Sequence, residues 1–316
     1  LFLWFKIPPL KFRTEVHPEK SDFSLQLNDS QVFVGSCFSE HMSGRLSDLG
    51  MDVTANPHGI LFNPVSVARC LTDLMESKVY SEEDLDLFND NYISFFHHGS
   101  FSGKDKSEVL NSINKTIESG SKALKEAQTL FITFGTSWGY RHVEKNEFVA
   151  NCHKVPQKAF KKELITHDRM LLVFNLLLEK LFEFNESLQI VLTISPVRHW
   201  KDGVSENQLS KSHLTIASHI LAQAFERVHY FPAYEIVMDD LRDYRFFESD
   251  LLHPNKQAQD YIWEKFQGVF FSESDKEKIE RIEKINKSLA HVPAEENEEY
   301  KEWREKLLDE KKNILR

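Results

Sequence analysis

The 316-residue sequence predicts an α/β fold, a doubly wound and mostly parallel sheet with helices on both faces. Three observations predict it. Uncharged β-forming runs at Val32 to Val34, Gln128 to Phe134 and Gln189 to Ile194 read as buried strands. Amphipathic helical patterns alternate with them, which calls for parallel strands joined by crossovers. Polar motifs fall just past the strand ends, at Gly35-Ser36, Gly135-Thr136 and Ser195 to His199. Such sheets bind ligands along that carboxyl edge.

The elements follow in order. Residues 13–30 form an irregular lead-in. Gly35 breaks the first strand, and from Ser39 the apolar positions Met42, Leu46 and Leu49 recur at helical spacing up to a stop at Gly50. A strand turning sharply into a helix presents its turn residues beside free helix N–H groups, and Ser36 occupies that turn. A second strand over Met51–Thr54 leads to NPHGILFNP (Asn56–Pro64), a held loop bracketed by two Asn-Pro pairs. Pro64 starts a helix to about Met75, with Val67, Leu71 and Leu74 on one face.

Asp90 to Phe101 contains a β-like run, and Lys106 to Ala127 is a helix buried along Val109, Ile113, Ile117 and Leu124. WGYRHVEKNEFVANCHK reads as a hairpin turning near Lys145–Asn146. A helix is expected from Phe160 to Asn185 and another from Asn207 to Val228, followed by a short strand at His229–Phe231. A loop then carries Asp250 and His253 before a closing helix over Gln257–Phe270. Beyond Ser272 the composition turns to dense Lys and Glu. Thin stripes at Ile279, Ile282, Ile285 and Leu289, and at Tyr300, Trp303 and Leu307 past Pro293, read as two charged helices packing back on the domain. Self-association through these C-terminal helices is the competing expectation. The chain thus divides into a lead-in (1–30), a domain (31–271) and a helical extension (272–316).

Hydrophobic content of 41% and charged content of 28% are ordinary globular values. A net charge of −10 without a basic cluster gives no footprint for nucleic acid. Cys37, Cys70 and Cys152 cannot all pair, and their spacing does not fit a zinc site, so a reducing compartment is expected. The opening LFLWFKIPPLKF is interrupted by Lys6 and Pro8-Pro9, is too short for a membrane span and lacks the order of a signal peptide. A cytoplasmic location is the expectation. No cofactor or metal is implied.

Serine catalysis needs a base for the hydroxyl proton and a group that fixes the base's tautomer. ESDLLHPN places Asp250 three residues before His253, so one tight turn can supply both. Ser36, His253 and Asp250 are therefore the candidate nucleophile, base and orienting carboxylate. Two other nucleophiles compete. Gly135 to Gly139 matches G-x-S-x-G around Ser137, but that motif must open into a helix, and a hairpin follows here. Cys37 adjoins Ser36 at a helix start, which favours a thiolate. Asp239 and Asp240 are alternative carboxylates on an apparent helix. Asn151 and His153 at the hairpin end, with Arg198 and His199 past a strand end, are candidate pocket residues. Arg198 is suited to a substrate carboxylate or phosphate.

Seven separated motifs carry a family resemblance: GSCF (35–38), NPHGILFNP (56–64), FGTSWGY (134–140), NCHK (151–154), SPVRHWKDG (195–203), SKSHL (210–214) and DLLHP (250–254). With KFRTEV (11–16), they resemble the GSCFA family, a bacterial branch of the SGNH (GDSL-like) hydrolases, over residues 11–270. The resemblance implies a flavodoxin-like three-layer α/β/α fold and ester hydrolysis. It implies Ser36 as nucleophile, Asp250 and His253 as the rest of the triad, and Gly59 as an oxyanion donor. The chain departs from SGNH enzymes in lacking Gly-Asp-Ser at the first block and an Asn after the central strand. The oxyanion hole then rests on the Ser36 and Gly59 N–H groups, with the Thr136 hydroxyl or Asn63 as a further donor. The expected activity is a serine esterase on a small O-acyl ester, for example of a carbohydrate. An O-acyltransferase with the same triad and a non-catalytic binding protein are the alternatives.

Overall fold

The computed structural model describes residues 12–290 and 298–315. The opening apolar stretch through residue 11, and Pro293, lie outside them. β1 (Ser30–Gly35) runs into α1 (Cys37–Leu49), which Gly50 stops in the left-handed region at φ 97°. β2 (Asp52–Ala55) and the Asn-Pro loop lead to α2 (Pro64–Met75), whose first turn the Asn63 side chain caps through Ser66 N–H. β3 (Asp86–Phe88) and β4 (Asn91–Ile93) form a small ribbon before α3 (Lys106–Glu126) and β5 (Thr129–Phe134). β6 (Trp138–His142), β7 (Glu147–Val149) and β8 (Phe160–Leu164) make an antiparallel sheet in the order β7-β6-β8. α4 (His167–Phe184), β9 (Gln189–Ile194), α5 (Val204–Ala224) and β10 (Val228–Phe231) complete the winding. The single turn α6 (Ala233–Glu235) continues as a π-helix over Ile236–Asp240, and α7 (Lys256–Phe270), α8 (Glu273–Leu289) and α9 (Glu298–Ile314) end the chain.

The main sheet has the order β10-β9-β5-β1-β2, with every pairing parallel. Counting only these five strands along the chain, that is 2-1-3-4-5, the flavodoxin-like winding. Alternate side chains feed two cores. Val32, Val34, Leu130, Ile132 and Phe134 pack under α2 to α5, while Phe33 and Phe131 face α1 and α7. The last two rings stack at 4.4 Å across the β1–β5 register.

Three expectations are corrected. The helix expected from Phe160 begins at His167, where the Thr166 side chain accepts from Arg169 N–H. Phe160–Leu164 instead pairs with β6, because the hairpin leaves an open edge there for a third strand. The helix expected from Asn207 starts at Val204. Only Asn91–Ile93 of the 90–101 run is strand, and Phe95 beyond it packs with Ile93, Val149 and Phe160 in a satellite cluster. Asp240, an alternative carboxylate for the histidine, has its partners elsewhere. It is buried, accepts from Val16 N–H at 3.1 Å and the Tyr261 hydroxyl at 2.7 Å, and so ties the lead-in to α7.

Both ends of the described chain join the α1/α7 face. Leu25 and Leu27 are buried there, and Leu25 N–H donates to Phe270 O at 2.8 Å. α8 inserts Ile279 and Ile282 into the same cluster as Phe270 and Phe271. α9 has no fully buried residue; Ile314 and the following Leu315 pack half-buried against the same cluster, and Lys311 Nζ donates to Asp48 O. No helix among the described residues is long and apolar enough to cross a membrane.

Candidate active site

The turn from β1 into α1 is built by close approach. A Cβ on Gly35 would lie 2.1 Å from Thr133 O, so only glycine lets β1 and β5 close at that row. Ser36 follows as the helix N-cap (φ −74°, ψ 177°), and its Oγ accepts from Phe38 N–H at 3.4 Å. Its own N–H donates to Thr133 O at 3.1 Å, and the residue is 1% exposed. Cys37 takes the first helical position. Burial, then the charge of Glu40, pushes its thiol up, so it is protonated where a nucleophile would need a thiolate.

Asp250 and His253 meet in one exposed turn. Asp250 Oδ1 accepts from Leu252 N–H at 2.9 Å and His253 N–H at 3.0 Å, and Oδ2 lies 2.5 Å from His253 Nδ1. The two backbone donors and the imidazole hold the carboxyl down to about 2. Leu251 at φ 60° makes the turn, and Glu248 N–H to His253 O closes it. The charge of His253 is the smallest of the influences on His41 of α1 and on His199. Ser36 Oγ and His253 share no hydrogen bond in this conformation; the serine hydroxyl rests against its own helix.

The expected oxyanion donors hold other partners in this conformation. Gly59 N–H donates to Asn56 O at 2.7 Å, and its φ of 74° lets His98 pack where a Cβ would sit. Asn63 caps α2, with its amide nitrogen on Ser66 Oγ at 3.0 Å. Thr136 shares its hydroxyl with Ser210 Oγ at 2.9 Å and accepts from Trp138 N–H. Ser36 N–H is also taken, as above. The Cys37 N–H at the start of α1 meets no carbonyl oxygen among the described residues.

The expected pocket residues separate into two places. His153 bonds Ser94 O at 2.7 Å and Ser102 Oγ at 3.1 Å, and Asn151 Oδ1 accepts from His153 N–H. These two anchor the hairpin end to the Ser94–Ser102 loop. Arg198 instead lines a cleft of about 420 Å³ that includes Asp250 in its wall. His199 packs edge-on to Phe62, and burial followed by the Lys211 charge holds it down to about 4. Ser137 is fully buried and β6 begins one residue later, so no helix follows it.

A family model described as the GSCFA family matches residues 30–266. The chain belongs to the GSCFA family. The matched span of this GSCFA chain includes Ser36, Arg198 and the Asp250–His253 turn, and ends before α8 and α9. Among solved structures it is similar to an acetyl xylan esterase (Est2A) from the rumen bacterium Butyrivibrio proteoclasticus, at 10% identity and a TM-score of 0.31. That alignment covers 81% of this chain and 66% of the other. At that identity and score the likeness extends to neither residues nor substrate. No curated protein matches the chain.

Two buried groups of the GSCFA domain escaped the reading of the sequence. Lys211, inside the SKSHL motif, is 1% exposed and donates to Gly135 O at 2.7 Å and Ser195 O at 2.6 Å. It bridges the carboxyl ends of β5 and β9, and no carboxylate lies within ion-pair distance among the described residues. Burial pulls its ammonium down to about 7. Its signal was a lysine at helical spacing from Asn207, Leu214 and Ser218, a mixed face on which it resembles a solvated residue until the helix is docked. Beneath the Asn-Pro loop, His58 and His97 stack at 4.2 Å, and Tyr80 donates to Asp73 at 2.7 Å. Burial holds the two imidazoles to about 3 and about 2. No group of three or more His, Cys, Asp or Glu among the described residues is arranged to hold a metal ion.

Proposed function

We propose that this GSCFA protein is a serine esterase acting on small O-acyl esters, with carbohydrate esters the favoured class. The observation that carries the reading is the Asp250–His253 dyad, held in one turn, in a chain whose Ser36 is the N-cap of α1 at the end of β1. In the reaction, Ser36 Oγ leaves Phe38 N–H and attacks the acyl carbon while His253 Nε2 takes its proton. His253 returns that proton to the departing alcohol, and Asp250 keeps Nδ1–H in the required tautomer. The oxyanion develops beside the Cys37 N–H and the positive end of α1. Water activated by His253 then releases the acid and restores the serine. With an alcohol in place of water the same steps give acyl transfer. Trp200 and Tyr244, exposed on the rim of the cleft beside Asp250, are suited to stacking on sugar rings.

A fluorophosphonate probe followed by intact mass tests the assignment, since only an activated serine is labelled. Labelling and ester hydrolysis should vanish in Ser36→Ala and persist in Cys37→Ala and Ser137→Ala. Asp250→Asn should lower turnover by on the order of 1,000-fold with little change in substrate affinity. Hydrolysis surviving in Ser36→Ala would remove the serine mechanism. The second reading, a binding protein without turnover, is favoured by the 1% exposure of Ser36 and by the engaged oxyanion donors. It requires that folded wild-type protein take up no probe at Ser36.

A further inference from the structure

We propose that the cleft beside Asp250 recognises an anionic group on its ligand, a carboxylate or phosphate, through Arg198. This deepens the esterase reading by naming the substrate class, and rests on it only for turnover. The argument begins with the charges that line the cleft. Arg242 pairs with Asp239 at 3.4 Å, Asp243 with Arg245 at 3.6 Å, and Asp250 with His253. Arg198 is left over. Its Nη2 donates to the Met238 thioether, a weak acceptor, at 3.1 Å, and its charge acts on the neighbouring Tyr234 hydroxyl, which donates to Gln208 Oε1. Its Nε is buried with no acceptor.

No carboxylate among the described residues comes within ion-pair distance of Arg198. A guanidinium partly withdrawn from water with a free donor is costly unless an acceptor arrives. Its planar fork matches two oxygens of a carboxylate or phosphate. The surroundings strengthen the case. Lys211 also lacks a carboxylate partner and repels Arg198, while Glu235, the acid that acts on Lys211, receives the Tyr230 hydroxyl. Neither Arg198 nor Lys211 makes an ion pair among the described residues, in a chain whose net charge is −10. The rest of the cleft is apolar, with Val237, Met238, Leu241 and Phe247 as walls. That combination fits a ligand with a ring or hydrocarbon face and one anionic group.

The test pairs turnover with equilibrium binding. Acetyl esters of glucose, glucuronate and glucose 6-phosphate are compared on wild-type protein and on Arg198→Gln, with folding of the variant checked by circular dichroism. Wild type should prefer one or both anionic esters. Arg198→Gln should lower kcat/KM on the preferred anionic ester by on the order of tenfold more than on the neutral ester, mainly through KM. The two anionic arms separate carboxylate from phosphate. Calorimetry of glucuronate, glucose 6-phosphate and glucose with Ser36→Ala, and with Ser36→Ala/Arg198→Gln, reads the site without turnover. If no ester is hydrolysed but an anion binds only when Arg198 is present, the esterase reading fails and this inference stands. Equal handling of anionic and neutral ligands, or equal loss on all of them in Arg198→Gln, overturns it.

Discussion

At the scale of the residue, Lys211 gives the sharpest test of burial. Its ammonium has exchanged water for two backbone carbonyls and is pulled down to about 7 from an ordinary 10.5. Below pH 7 it is charged in folded and unfolded chains alike. Between about 7 and 10.5 the unfolded chain holds a proton that the folded chain releases, so stability rises with pH across that window. Lys211→Met removes this dependence and orphans the same two carbonyls at every pH. The melting temperature of wild type relative to Lys211→Met should therefore climb from pH 7 to pH 10, as followed by thermal unfolding in matched buffers. A gap that stays constant would mean the ammonium does not titrate in the fold. Asp250 shows the same sign in a more acidic window, here because its charged form is the one the fold favours. Its carboxyl is held to about 2 against a usual 3.8, so its bonds to the turn are intact above pH 3.8 and lost as the pH falls toward 2. Any fall in activity between pH 7 and pH 4 is then not caused by Asp250.

At the scale of the element, the two tail helices differ in kind although their compositions look alike. α8 buries Ile279, Ile282 and Ile285, whereas α9 has no fully buried residue and adds only half-buried contacts such as Ile314. A stop after residue 290 should leave the melting temperature nearly unchanged. A stop after Ser272 uncovers Phe270 and Phe271 and removes Ile279 and Ile282 from their cluster, and should destabilise strongly. Ile282→Ala isolates the effect and should cost about 2–5 kcal/mol in urea unfolding. If the stop after Ser272 unfolds at the wild-type temperature, α8 is an appendage rather than part of the core. The 12–30 lead-in belongs to the same face through Leu25, Leu27 and the Asp240 contacts, so the division at residues 30 and 272 marks changes in composition more than edges of the packed body.

At the scale of the whole molecule, one five-stranded sheet is shared by both cores, so neither face can open without exposing the other side of the same strands. Phe131 and Ile132 are neighbours in β5 yet lie in different clusters. Chemical unfolding should accordingly be a single transition, with far-ultraviolet circular dichroism and tryptophan fluorescence coincident within error. The probes sample different places: Trp263 lies in the α1/α7 core, and Trp138 in the β6–β8 sheet. Two resolved transitions would show that the antiparallel β6–β8 sheet, or the tail, unfolds on its own.

What the sequence determined by itself was local. The uncharged runs, Gly35, Gly50 and Pro64 set strands, turns and helix ends through φ/ψ limits and side-chain periodicity, and a three-residue spacing was enough to join Asp250 to His253. Family motifs in order specified the winding. Tertiary structure decided what depends on partners distant in the chain. β8 formed because β6 offered an open edge, overriding a plausible helical reading of Phe160–Leu164. Gly59, Asn63 and Thr136 each found a partner in the folded loops that their residue types did not announce. Lys211 and Arg198 came to lie without an ion-pair partner only when α5 and the Ser195–His199 segment docked against the sheet. A donor's availability is a property of its surroundings, and no residue type or spacing carries it.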